Sequence, residues 1–322
     1  MTDDCSGSWL CLQLLVSACV YALCVPFYAV FAWAVWRGRG AGERLRSSFF
    51  ALCLSCALSD FEAAAHQWLL SRPRILGFLF HFYATLDPWA ARMSLLIGLQ
   101  QAVSQVLGVT LLSVNRFSAI VYSHMHDKLW SGSTLKWLIA LQWGVPCLLA
   151  YGLYLPFVDT TFERVVPNSS VVYIIYKDPY APNIFVAMSV FNVVCCLLMF
   201  VLYAAMIRST WPAGAVSRVC NSSRSSSALS GLFIFIPASG MAYTLLTLVV
   251  TNDFNGVMVY YYAGMDLLCL VNPFVVTALS APVRGALRRL LTAAGKSGDD
   301  AGRAAPQVTF TAQPAPQAVL HS

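Results

Sequence analysis

The chain has 322 residues, of which 58% are hydrophobic and only 11% charged, with a formal net charge of +6. A soluble domain carries about 25% charged residues, so this composition excludes a soluble globular protein. The apolar runs are continuous rather than alternating, which excludes a transmembrane barrel and predicts an all-α membrane protein.

Seven runs are each about 20 residues or longer, enough to cross roughly 30 Å of hydrocarbon. The first is Trp9–Trp36; Asp3 and Asp4 precede it where a cleaved leader would carry basic residues, so it reads as a span. The second is Phe49–Leu70, which holds Asp60, Glu62 and His66. Asp60 is the deepest of these. Cys56, one turn away, is too weak a partner for a carboxylate, so the partner must come from another helix. Two readings stay open for it: a structural polar network with Asn272, or a site near a bound cation. Cys53 and Cys56 form a CxxC inside the same run with no second Cys or His pair beside it, so neither metal nor redox chemistry is expected there. Ile75–Leu86 is apolar but too short to span, and reads as a re-entrant or extracellular piece.

The third run is Met93–Tyr122. Gln101, Ser104, Gln105, Gly108, Leu112 and Asn115 fall on one face at about 100° per residue. A polar stripe on a spanning helix points into the bundle, because exposing it to lipid is costly. It either lines a pocket, with Gln101 and Gln105 as the better candidates, or joins helices through amide bonds of about 1 kcal/mol. Asn115-Arg116-Phe117 closes this run and is followed by the His-containing loop Ser123–Lys128. An arginine at a helix end either snorkels or meets a partner.

The fourth run is Trp137–Phe157, and the loop after it, Val158–Pro182, contains the glycosylation acceptor Asn168-Ser169-Ser170. The fifth is Ile184–Ile207, followed by the loop Arg208–Ser227, where Asn221 has the same acceptor pattern. The sixth, Leu229–Val250, contains Pro237, and the seventh, Val257–Leu279, contains Tyr262, Asp266 and Asn272-Pro273-Phe274. Prolines remove a backbone hydrogen bond, so these two helices are deformable where a switch would need it. Val283–Leu291 alternates apolar and basic residues at helical spacing and predicts a short amphipathic helix on the inner leaflet. The segmentation divides the chain into a seven-helix domain with surface helix, 1–294, and a tail, 295–322, too rich in Gly, Ala, Pro and Gln to bury a core.

With the N-terminus outside, fourteen of the 20 Lys and Arg fall on the cytoplasmic side and five outside, with Arg116 at the boundary. That bias favours N-out and C-in. It also accounts for the positive charge without nucleic acid, since no basic stretch carries the interleaved aromatic residues of a base-stacking surface. Asn168 should then be glycosylated and Asn221 should not.

These positions together resemble the seven-transmembrane, G-protein-coupled receptors, and more narrowly the nematode serpentine chemoreceptors of the gamma superfamily. The residues that carry the resemblance are Ser113–Phe117, Lys128–Gly132, Tyr262–Asp266, Asn272-Pro273-Phe274 and the closing Ser280-Ala281-Pro282-Val283-Arg284. The resemblance implies a receptor in the plasma membrane, sensory cilia included, for an extracellular small molecule or peptide, coupled to a heterotrimeric G protein. It implies ligand contact at Gln101, Gln105, Tyr262 and Asp266, and switching at Asn115, Arg116, Phe117, Pro237, Asn272 and Pro273. Asp60 would belong to the polar core, and no cofactor is expected. The chain departs from the rhodopsin-like pattern in several places. Asn115 stands where an acid would precede the arginine, Phe235 replaces a Trp, and Val276 replaces a Tyr. The usual disulfide to the second outer loop is impossible, because no Cys lies between Pro156 and Asn183. The rival reading is a transporter or ion channel using Asp60, Glu62, His66 and Asp266. It lacks the repeats and matched broken helices of such folds. An intramembrane enzyme is disfavoured by the absence of a nucleophile elbow or an HExxH site.

Overall fold

The computed structural model describes residues 3–41, 45–75, 80–155, 159–164, 172–177, 181–210, 273–274, 276–278 and 280–299. These form α1 (Asp3–Ala41), α2 (Ser48–His66), α3 (Arg72–Ile75), α4 (Phe80–Leu86), α5 (Trp89–Val121), α6 (Ser123–Leu129), α7 (Gly132–Cys147), α8 (Ala181–Thr210) and α9 (Ala281–Asp299). A hairpin of β1 (Thr160–Arg164) and β2 (Val172–Tyr176) lies between α7 and α8. Among the described residues four helical stretches are long and apolar enough to cross a membrane: Ser48–Ser71, Trp89–Val121, Gly132–Tyr154 and Val186–Ser209. The sixth apolar run and most of the seventh lie outside the described residues.

α5 is the central helix. All six residues of its predicted polar stripe are buried, along with apolar residues from Leu96 to Val109 on its other faces. α8 packs against it through Cys196, Met199, Tyr203 and Met206 around Val109. The outer face of α8, including Val190, Val194, Leu197 and Val201, is exposed and apolar, as a bilayer requires. Gly108 marks the closest crossing. A Cβ built there would lie 2.5 Å from Gln142 Nε2 of α7 and 2.8 Å from Cys56 Sγ of α2. Only a glycine lets these three helices meet at this height.

Two helices change pitch toward the end of the bundle that carries the hairpin. α2 continues as a π-helix over Gln67–Ser71, and α7 continues as one over Leu148–Tyr154. Arg72 follows α2 and its π-helical turn without a break and is 4% exposed. Its guanidinium lies 4.5 Å from the ring centre of Trp68 and 5.3 Å from that of Tyr21, so aromatic faces receive its charge.

α9 packs its Val283, Ala286 and Leu287 against Phe31, Ala34, Val35 and Leu45. The Ser-x-x-Val-Arg sequence has a physical role at this corner. The Ser280 backbone carbonyl accepts the Arg284 backbone N–H at 3.0 Å, Val283 is fully buried, and the Arg284 guanidinium donates back to the carbonyls of Thr277 and Ala278. A basic side chain thus closes the open carbonyls that end the preceding helix. α9 runs past Ala294 to Asp299, so helix extends beyond the boundary expected for the tail.

Candidate functional site

The polar residues of α2 and α5 form one seam. Asp60 is 3% exposed. Its carboxylate accepts the Tyr28 hydroxyl from α1 at Oδ2, and the Gln105 amide nitrogen at Oδ1 at 3.0 Å. Both donors come from other helices, as the weakness of Cys56 required. Asn272, the partner considered from sequence, lies outside the described residues. One turn toward the Arg116 end, Ser55 donates to Gln142 Oε1 at 2.8 Å and accepts the Trp143 indole N–H at 3.0 Å. Ser59 and Ser104 lie 3.3 Å apart between these groups.

Gln101 and Gln105 were pocket candidates. Both are nearly fully buried, and both amides donate into α2: Gln105 to Asp60, and Gln101 to the Glu62 carbonyl at 3.0 Å. In this conformation they join helices. Tyr83 is buried and donates to the Leu70 carbonyl at 2.9 Å, while Trp89 is exposed. Tyr262, Asp266, Pro237, Asn272 and Asn168 lie outside the described residues; Pro273 is buried, and the adjacent Phe274 stacks on Phe27 at 4.5 Å.

At the other end of α5, Asn115 is 1% exposed and its amide nitrogen donates to Ser48 Oγ at 2.9 Å. The Arg116 guanidinium lies 3.9 Å from the ring centre of Phe49. Consecutive residues of α5 are thus held on the first turn of α2. Phe117 packs on the α5–α8 cluster. Ser118 organises the following loop: it accepts the Trp130 indole N–H at 2.8 Å, donates to the Asn115 carbonyl at 3.0 Å, and pairs with His126 Nδ1 at 3.0 Å. α6 therefore moves with the end of α5.

At the hairpin end, Asp87 accepts the Thr161 hydroxyl and, at 2.8 Å, the Phe162 backbone N–H. Arg92 pairs with Asp159 at 3.7 Å, and Tyr83 meets Phe162 edge-on at 5.4 Å. These contacts tie the hairpin to the start of α5, where a disulfide is impossible. Sequence reasoning missed Tyr28, Gln142 and Asp87. Gln142 carried a signal, a single amide in an apolar run; Tyr28 and Asp87 carried none that distinguishes them from their neighbours.

A family model described as "Serpentine type 7TM GPCR chemoreceptor Srv" matches residues 18–293. Serpentine receptor class V-1 of Caenorhabditis elegans is 25% identical over 284 residues, covering 86% of this chain and 89% of that relative.

Proposed function

The chain belongs to the Srv family of serpentine seven-transmembrane G-protein-coupled chemoreceptors, a family of receptors and not of enzymes, and from that premise we propose a sensory receptor in the plasma membrane. Its N-terminus is outside and its C-terminus inside, as the distribution of Lys and Arg favours. It binds an extracellular small molecule or peptide and signals through a heterotrimeric G protein. Tyr262 and Asp266 contact the ligand, and Gln101 and Gln105 reach it by exchanging the bonds that hold them to α2 in this conformation. Pro237, Asn272 and Pro273 bend the helices that move. α9 lies on the inner leaflet with Arg288 and Arg289 toward anionic headgroups.

The observation that carries this reading is the seat of Arg116. Its charge rests on Phe49 at 3.9 Å, one residue from the Asn115–Ser48 bond. A cation–π contact contributes about 0.5–2 kcal/mol, so it holds the arginine without locking it. Ligand binding shifts the helices, frees Arg116 from Phe49, and offers it to the G protein. Arg116→Ala should abolish the second-messenger response while surface expression stays normal. An unchanged response in that variant would overturn the mechanism.

A further inference from the structure

The corner where α1, α2 and α9 meet holds two arginines that the receptor mechanism leaves unused, Arg39 and Arg46. Residues 37–46 carry four arginines against one acid, Glu43, so the segment is positive however Glu43, outside the described residues, is placed. Gly38 sets the local geometry. A Cβ there would overlap the Leu45 side chain, so glycine lets Leu45 close back on α1. Arg46 is thereby brought to the end of α1, and its Nε donates to the Arg39 carbonyl at 3.0 Å. Arg39 donates in return from Nη1 to the Ser47 carbonyl at 3.2 Å. Each guanidinium is thus bonded to the backbone of the other residue or of its neighbour. Capping of helix ends accounts for one donor on each side chain and leaves the rest of each fork open. Among the described residues no carboxylate lies within ion-pair distance of either; the ion pair there is Arg92–Asp159, at the hairpin end. Two guanidiniums drawn together without an acid repel each other unless an anion joins them.

Two further observations point to a lipid as the source of that anion. Trp33 and Trp36 are 50% and 60% exposed, with ring centres 5.1 Å apart, and Trp36 stands one turn before Arg39. Exposed tryptophans on a spanning helix mark the level of the headgroups. Arg39 lies about 4.5 Å beyond Trp36, at about 1.5 Å per residue, and so at the depth of the lipid phosphates. α9 closes on the same corner. Its Ala286 Cβ lies 3.9 Å from the Cβ position of Gly38, and the exposed Arg288 and Arg289 follow within one turn.

We propose that the Arg39–Arg46 clamp binds the headgroup of a phosphoinositide, with Arg288 and Arg289 of α9 adding to its positive wall. Guanidinium forks bind phosphate through two bonds at once, and each phosphomonoester on the inositol ring carries about −1.5 to −2 charges at neutral pH. A phosphatidylserine headgroup sets one phosphodiester and one carboxylate beside an ammonium, and balances far less of the corner. The proposal rests on the inner-leaflet placement of α9 in the proposed receptor. The clamp adjoins the switch of that receptor: the consecutive residues Ser47, Ser48 and Phe49 hold Arg39, Asn115 and Arg116. A lipid that draws on Arg39 therefore acts beside the seat of Arg116.

The test uses the full chain in mixed micelles and native mass spectrometry, which counts the lipids bound to each chain. Phosphatidylinositol bisphosphate should bind about tenfold more tightly than phosphatidylserine, and R39Q/R46Q should weaken it about 10- to 30-fold. K136Q/R208Q, which removes two exposed charges from α7 and α8, should weaken it by less than about twofold. Equal loss in the two double variants, or equal binding of the two lipids, overturns the proposal. Inositol trisphosphate, a headgroup without acyl chains, should compete about tenfold less well than the lipid; equal competition makes the ligand a soluble phosphate and overturns the lipid assignment. If R39Q/R46Q does not fold, a photoreactive phosphatidylinositol bisphosphate on the wild-type chain decides. Its crosslinks should fall in residues 37–48 and in α9, and crosslinks confined to other segments overturn the proposal. Micelles expose both ends of the bundle and no signalling is read, so a failure here is distinct from a failure of the proposed orientation or of the Arg116 mechanism.

Discussion

Asp87→Ala should unlatch the β1–β2 hairpin while leaving the helices in place. The carboxylate accepts two hydrogen bonds, from the Thr161 hydroxyl and from the Phe162 backbone N–H at 2.8 Å. Bonds to a charged group contribute about 1.5–3 kcal/mol each, and half-burial of Asp87 and Phe162 puts both toward the lower end or below it. The pair together holds the hairpin by about 2–3 kcal/mol. The neighbouring Arg92–Asp159 pair, 3.7 Å apart with side chains 35% and 58% exposed, adds about 0–1 kcal/mol. Since about 1.4 kcal/mol is a factor of ten, loss of Asp87 raises the open population about 30- to 150-fold. Amide hydrogen exchange reads this directly. The Lys177 N–H, bonded to the Asp159 carbonyl at 2.9 Å, reports opening of the hairpin without itself losing a partner to the substitution. Its exchange should accelerate by that factor in Asp87→Ala and by less than about fivefold in Arg92→Ala. With no Cys between Pro156 and Asn183, dithiothreitol should change neither rate. Unchanged exchange in Asp87→Ala, or an equal effect from Arg92→Ala, would refute the assignment of the latch to Asp87.

Gly108→Ala should lower stability in thermal unfolding by about 1–3 kcal/mol, because the added methyl meets Gln142 Nε2 at 2.5 Å and Cys56 Sγ at 2.8 Å. Tyr28→Phe should cost about 1–3 kcal/mol by taking a donor from buried Asp60; combined with Asp60→Asn, the two should cost clearly less than their sum in thermal unfolding. Glycosidase treatment should shift the electrophoretic mobility of the wild-type chain, and Asn168→Gln should remove that shift while Asn221→Gln leaves it; the reverse result would overturn the proposed orientation.

The central helix was legible in the sequence. Five polar or small residues, with Leu112 among them, spaced from Gln101 to Asn115 marked a buried face, and that face is buried. Its beginning was less so: hydropathy placed it at Met93, yet the helix starts at Trp89. Apolar runs mark hydrocarbon, whereas a helix continues until its backbone bonds find other partners. The partners of the polar groups were the least legible. Asp60 required a donor from another helix, and nothing local singled out Tyr28, 32 residues away. Asp87 meets residues 74 and 75 positions away, and the strands it holds form, among the described residues, a two-stranded sheet, giving little pattern against a loop background. Pairing across such separations is decided by how the helices pack, which no window of sequence contains.

The π-helix at Leu148–Tyr154 also bears on how the length of this chain can change over generations. A π segment accommodates one residue beyond what an α-helix uses over the same stretch. Deleting one residue there lets the ladder close as ordinary α-helix and keeps the faces on either side in phase. The same deletion inside Trp89–Val121 would turn every residue beyond it by about 100° and drive Gln101, Gln105 or Asn115 out of the seam. Single-residue gaps between this chain and its relatives should therefore collect in the π-helical continuation of α7 and be absent from α5.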